Sequence, residues 1–245
     1  MSGSDRRVDA VTFDYWDTLV RADPPPFKQA RLDALVAAMA THDRTVDPAA
    51  VEALMGAVFA EEFTPAWQRN EQYTAVEAAR SLARRLAVAG QGRVEDDVVE
   101  AFVSAGDSAA TTLTPGIAET LRTLVDAGVQ VGIICDVGLT PSVTLRRALD
   151  HHGLLAHFVH WSFSDDVGVY KPDAAIFRHA LEGLGGVAPE RTAHVGDLRR
   201  TDVAGARAMG MTAVRYTGVA DDPTEGPEGH HVLTDHADLP GLLLS

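Results

Sequence analysis

Residues able to do nucleophilic, acid–base or metal chemistry recur just after short apolar runs in this sequence. Asp14 and Asp17 follow the run that ends at Phe13, and Cys135 with Asp136 close the run that begins at Val129. Asp165, Asp166 and then Lys171 follow a third run, and Asp197 with Asp202 follow a fourth. One aspartate in such a place is often a helix N-cap, because its carboxylate accepts from the free N–H groups of the first turn. Asp202 suits that role as well as a role in a site. Several carboxylates with a lysine nearby, on one predicted edge of the sheet, form a coherent constellation and favour a site over separate caps. Cys135 falls in no motif with a histidine base and is read as a thiol lining that site. The pairs His151-His152 and His230-His231 read as surface residues, since neighbours on a helix or strand point apart.

The elements that must position these residues follow from periodicity. Val8 to Phe13 is short, apolar and rich in β-branched residues, which predicts a buried strand. From about Pro26 to Thr112 the spacing is helical: Leu32, Leu35, Val36 and Met39 share a face, as do Val51, Leu54, Met55 and Val58. That section predicts about four helices and no strand. After Pro115-Gly116 helices and strands alternate. A helix over 117–127 stops at Gly128, and a continuously apolar strand runs from Val129 to Cys135. Further helices are expected over 141–152, 172–184 and 202–209, and strands over 158–162, 193–196 and 212–216. A short strand near Val232 and a helix over 239–244 end the chain. Such alternation predicts an α/β fold with a mostly parallel, doubly wound sheet. The first strand must join that sheet, so residues 23–112 form a helical insertion between 1–22 and 113–245. In open parallel sheets ligands bind beyond the carboxyl ends of the strands, where the aspartates stand.

Bulk composition narrows the partners. With 245 residues, 46% hydrophobic and 23% charged, the chain has the make-up of an ordinary globular protein. A formal net charge of -14 excludes nucleic acid as the expected partner, because phosphate backbones are bound by clustered Lys and Arg. No stretch reaches the roughly 18 apolar residues of a membrane span, the first residues lack an apolar signal core, and a single cysteine suits a reducing compartment. The expected address is the cytoplasm.

Four motifs in order resemble those of the haloacid dehalogenase-like hydrolases. Phe13-Asp14-Tyr15-Trp16-Asp17-Thr18-Leu19 is similar to the first, Val131 to Asp136 to the second, and Val169-Tyr170-Lys171-Pro172-Asp173 to the third. His194-Val195-Gly196-Asp197, with Asp202 five residues further, resembles the fourth. The resemblance implies a Rossmann-like core with an α-helical cap inserted between the first two motifs. It implies Asp14 as nucleophile, Lys171 as the holder of negative charge, and Mg²⁺ bound by Asp14, the main chain of Trp16 and Asp197, with Asp202 in support. Family phosphatases carry a second aspartate two residues after the nucleophile. Trp16 stands there instead and cannot transfer a proton, so Asp17 becomes the candidate acid and base. Cys135 replaces the usual Ser or Thr of the second motif, and Asp136 beside it adds a negative group. Trp16, Cys135 and Asp136 are thus the expected substrate contacts, with Trp67, Arg69 and Tyr73 as candidates from the helical section. The implied reaction is Mg²⁺-dependent hydrolysis of a small phosphorylated molecule. An aromatic at Trp16 is also reminiscent of the metal-independent 2-haloacid dehalogenases of the family, but those have Ser-Asn where this chain has Gly196-Asp197. A non-catalytic binding or regulatory protein on the same fold is the third reading.

Overall fold

The structure is a computed structural model that describes residues 8–22, 24–105 and 111–245. The chain begins with β1 (Ala10–Phe13) and, after a tight loop, β2 (Val20–Ala22). Five helices follow: α1 (Pro24–Ala40), α2 (Pro48–Val58), α3 (Thr64–Gln68), α4 (Ala75–Arg85) and α5 (Arg93–Ser104). A π-helical turn, Phe59–Phe63, joins α2 to α3. β3 (Thr111–Leu113) then pairs antiparallel with β2. From there the chain alternates through α6 (Ile117–Asp126), β4 (Gln130–Cys135), α7 (Ser142–His151), β5 (His160–Phe163), α8 (Ser164–Val167), α9 (Ala174–Gly183), β6 (Thr192–Gly196), α10 (Ala204–Ala208), β7 (Thr212–Tyr216), β8 (His231–Leu233) and α11 (Leu239–Leu243).

Six strands form one parallel sheet in the order β5-β4-β1-β6-β7-β8. This is the expected α/β fold. The chain grows outward from β1 first through β4 and β5, then through β6 and beyond, so the winding reverses at β1. That reversal leaves a crevice at the carboxyl ends of the strands beside β1. β1 and β6 are buried along their whole length, and β4 is buried from Val131 onward. Strands covered on both faces need apolar residues at every position, which is why they read as continuous runs. Ile176, Phe177, Ala180 and Leu181 of α9 pack with Ile134, Val203, Ala206, Met211 and Ala213 in one core cluster. Gly128 takes φ 75 after α6, a left-handed geometry that favours glycine at a helix C-terminus.

The chain divides into two compact units, one of residues 1–22, 111–136 and 149–245, the other of residues 23–110 and 137–148. The helical unit has its own core, including Leu35, Val51, Val58, Ala78, Ala79, Leu82, Val98 and Phe102. Helix α4 opens with a capping box, Thr74 bonding Glu77 and Glu77 returning to the Thr74 N–H.

Three expectations change. Thr111 and Thr112, read as the end of the helical stretch, lie in strand β3, where Val20, Arg21 and Ala22 opposite give their backbones partners. Residues 137–148, placed by their pattern with the α/β part, group with the helices. The helix expected from Asp202 begins instead with a π-helical turn, Arg199–Val203, before α10. No helix among the described residues is long and apolar enough to cross a membrane.

Candidate active site

Asp14 is the first residue beyond β1, and its N–H bonds the carbonyl of Val195 on β6 at 2.8 Å. The chain then doubles back sharply. The amides of Leu19 and Val20 both donate to the Tyr15 carbonyl, at 3.0 and 3.1 Å, and Asp17, at φ 52, donates to the Val20 carbonyl at 2.8 Å. Two buried side chains hold this loop from below. Thr114 Oγ1 donates to the Thr18 carbonyl at 2.7 Å, and His236 Nε2 reaches the same oxygen at 2.8 Å. The nucleophile candidate is therefore fixed at both ends.

Lys171 reaches the same place from the loop between α8 and α9. Its ammonium, only 1% exposed, lies 2.5 Å from Asp14 Oδ1 and 2.6 Å from Asp202 Oδ1. Its backbone N–H donates to Asp136 Oδ1 at 2.9 Å, which ties the third motif to the end of β4. Asp202 is saturated with donors. Oδ1 accepts from Lys171 and lies 3.0 Å from His194 Nε2, while Oδ2 accepts from the Leu198 N–H and Thr201 Oγ1. The side chain thus folds back on its own turn, with its carboxylate in the site. Gly196 makes room for it, since a Cβ there would sit 2.3 Å from Asp202 Cγ.

The charges are unequally balanced. Burial first, then the charges of Asp202 and Asp136, raises the Asp14 carboxyl to about 7 against the opposing pull of Lys171. Burial also pushes Asp136 up to about 6, and it lifts Asp197 well above the usual carboxylate range with help from Asp202 and Asp14. Asp202 goes the other way, because Lys171 and His194 outweigh its own burial. Lys171 is held well above its ordinary value by Asp14, Asp202 and Asp136, despite its burial. Four carboxyl groups around one lysine favour a dication. Among the described residues no three or more His, Cys, Asp or Glu side chains are grouped to hold a metal ion. Asp14, Asp197 and the Trp16 main-chain carbonyl offer hard oxygens, the donor chemistry that suits Mg²⁺.

The remaining sequence candidates are distributed as follows. Trp16 is half-buried with its ring edge-on to Tyr15 at 4.9 Å. Asp17 is half-buried, its carboxyl raised by burial and lowered again in part by Arg21. Cys135 is fully buried at the end of β4, and burial keeps its thiol well above its ordinary value. A neutral thiol of this kind is a poor nucleophile, in keeping with a lining role. Asp165 and Asp166 lie in α8, one step beyond the strand end. In the helical unit Arg69 pairs with Glu71 and Tyr73 donates to Glu62. His194, a member of the fourth motif without a role of its own there, and Thr12, in no motif, join the site only through the fold. The signal was present in the chain: Thr12 and His194 are polar residues inside otherwise apolar strand runs.

A family model described as a haloacid dehalogenase-like hydrolase matches residues 8–210. The chain belongs to this family. Among curated proteins it is 48% identical over 69 residues to a phosphoserine phosphatase of Thermus thermophilus, covering 28% of this chain and 27% of that one. It is 36% identical over 134 residues to a glyceraldehyde 3-phosphate phosphatase of Pyrococcus furiosus, covering 53% of this chain and 52% of the other. The matches thus span about half, or less, of these relatives' length. Among solved structures, a 2-haloacid dehalogenase from Pseudomonas syringae superposes with TM-score 0.69 at 23% identity, over 96% of this chain and 98% of that one. At that identity the likeness establishes a shared fold.

Proposed function

We propose that this family member hydrolyses small phosphomonoesters with Mg²⁺, through an aspartyl-phosphate formed on Asp14. The observation that carries the reading is the Lys171 ammonium, buried between Asp14 Oδ1 and Asp202 Oδ1 at the carboxyl edge of the sheet. Asp14 attacks phosphorus and the bond to the substrate alkoxide breaks. Asp17 donates the proton the alkoxide needs, and burial shifts its carboxyl upward, the direction that favours a proton donor. Water then attacks the same phosphorus, Asp17 takes its proton, and the bond to Asp14 breaks to release phosphate. Lys171 balances charge on Asp14 and on the phosphoryl oxygens throughout. Asp14, the Trp16 carbonyl and Asp197 would hold the cation, with Asp202 supporting through Lys171. Bound Mg²⁺ supplies charge neutralisation at the transferring phosphoryl group. Cys135, Asp136 and Trp16 line the substrate's place, and the helical segment between β2 and β3 takes the cap's role of selecting the substrate.

The relatives named for phosphoserine and glyceraldehyde 3-phosphate support a small phosphorylated molecule as the substrate class. Trp16 and the dehalogenase-like fold favour a second reading, 2-haloacid hydrolysis without metal. Against it stands Asp197, whose charge beside Asp14 and Asp202 is costly unless a dication is bound. The net charge of -14 and the single cysteine fit a cytoplasmic enzyme. The test is phosphate release from a broad phosphomonoester panel, with Mg²⁺ and with EDTA, for wild type and Asp14→Asn. Mg²⁺-dependent release that disappears in the variant supports the phosphatase. No release above the variant, together with halide release from 2-haloacids in EDTA, overturns it in favour of the dehalogenase.

A further inference from the structure

Thr12, His194, Asp202, Lys171 and Asp14 form a single hydrogen-bonded line through the core. The register of β1 against β6 sets Thr12 opposite His194 on adjacent parallel strands. Thr12 Oγ1 lies 2.9 Å from His194 Nδ1, and the other ring nitrogen lies 3.0 Å from Asp202 Oδ1. That oxygen also accepts from Lys171 Nζ at 2.6 Å, and the ammonium continues to Asp14 Oδ1 at 2.5 Å. The imidazole is 1% exposed and Phe177 packs edge-on against it at 5.4 Å, so the ring has little room to turn.

Counting protons along this line leaves one arrangement of a neutral ring. Thr12 has one hydroxyl proton and two acceptors within reach, His194 Nδ1 at 2.9 Å and the Ala193 carbonyl at 3.4 Å. If the proton went to Ala193, His194 would donate from Nδ1 and turn a bare Nε2 lone pair toward a carboxylate oxygen. Two acceptors would then face each other at 3.0 Å in a buried place. If Thr12 donates to Nδ1, the shorter contact, Nε2 carries the ring proton and donates to Asp202. Every contact along the line from Thr12 to Asp14 then has one donor and one acceptor, and only the longer 3.4 Å approach to the Ala193 carbonyl goes without a proton. The Thr12 hydroxyl lies 2.9 Å from Nδ1 against 3.4 Å from the Ala193 carbonyl, and a hydroxyl proton pointed at Nδ1 leaves no place there for a second ring proton.

We propose that His194, locked by Thr12 as its Nε2–H tautomer, is a positioning residue that fixes Asp202 and thereby aims Lys171 at Asp14. The proposal rests on the reading of Asp14 and Lys171 as reacting groups. With Lys171, His194, Leu198 and Thr201 all donating to it, Asp202 works as an anchor for the lysine more than as a direct cation ligand.

Side-chain ¹⁵N–¹H correlation spectra of the labelled protein read the tautomer directly, with His194→Gln identifying the resonance. The wild type is expected to show a neutral ring protonated at Nε2, and Thr12→Val to lose that preference while staying folded. His194→Leu is expected to lower kcat about 10- to 100-fold with little change in KM, the usual scale for a residue orienting a metal-site group from behind. His194→Gln, whose carboxamide can present an N–H near the position of Nε2, is expected to recover most of that loss. A ring protonated at Nδ1 or at both nitrogens in the wild type overturns the proposal, and so does a kcat equal in the Gln and Leu variants. If the wild type releases no phosphate, the phosphatase reading fails on its own, and the tautomer measurement still decides whether the line is built as described.

Discussion

Asp197 and Asp202 stand five residues apart, and different surroundings push their carboxyl groups in opposite directions. Asp202 is pulled down by Lys171 and His194, whereas Asp197 is pushed up by burial and by the charges of Asp202 and Asp14. Replacing Asp197 by Asn should therefore raise the melting temperature in EDTA, because the charged form it removes is the disfavoured one. The same variant should lose the stabilisation that added Mg²⁺ gives the wild type, since a ligand stabilises only the state that binds it. Thermal melts with and without Mg²⁺ check both, and a lower melting temperature in EDTA would contradict the charge account. The motif residues are legible because Asp14, Cys135-Asp136 and Asp197 stand directly at strand ends and in fixed order. In sequence Asp202 suits a cap and a site equally, and the deciding fact, its four donors, depends on residues as distant as Lys171. Thr12 and His194 were passed over because a polar residue in a buried strand acquires meaning only with the register of its neighbour.

At the level of elements, the end of β6 and the turn after it act as one piece. A Cβ on Gly196 would meet Asp202 Cγ at 2.3 Å, so Gly196→Ala must displace either the strand end or the carboxylate. The expected cost is about 1–3 kcal/mol of stability, on the scale of other overpacked sites, with turnover lost as Lys171 loses its anchor. Denaturant titration beside kcat measures both, and unchanged kcat would contradict the anchoring. His236 plays a similar part from the C-terminal segment. It stacks on Tyr216 at 4.0 Å, bonds the Thr18 carbonyl and is held by burial at about 4, below the ordinary 6.5 of histidine. Between those values the unfolded chain binds more protons than the folded one, so stability is full above about pH 6.5 and falls as pH drops toward 4. The loss from this group is at most about 3 kcal/mol, and His236→Phe should flatten that part of the stability–pH curve. An unchanged curve would show that other groups set the slope. The alternation of helices and strands, and with it the parallel sheet, was legible from period alone. Strand β3 was not, because three residues carry no period and its pairing with Val20–Ala22 spans the whole helical segment.

For the molecule as a whole, the net charge of -14 should oppose the approach of a phosphorylated substrate. Raising NaCl from about 10 to 150 mM shortens the screening length from about 30 to 8 Å and should raise kcat/KM modestly at fixed Mg²⁺. A steep fall would instead indicate a local positive funnel at the site. The central claim concerns Asp14 itself, and acid-quenched protein in steady turnover tests it directly, by mass spectrometry of the peptide that contains it. A phosphoryl group on Asp14, present with substrate and Mg²⁺ and absent in EDTA, is the predicted result. Turnover of a phosphomonoester with no such adduct, or with the phosphoryl group on another residue, would contradict it.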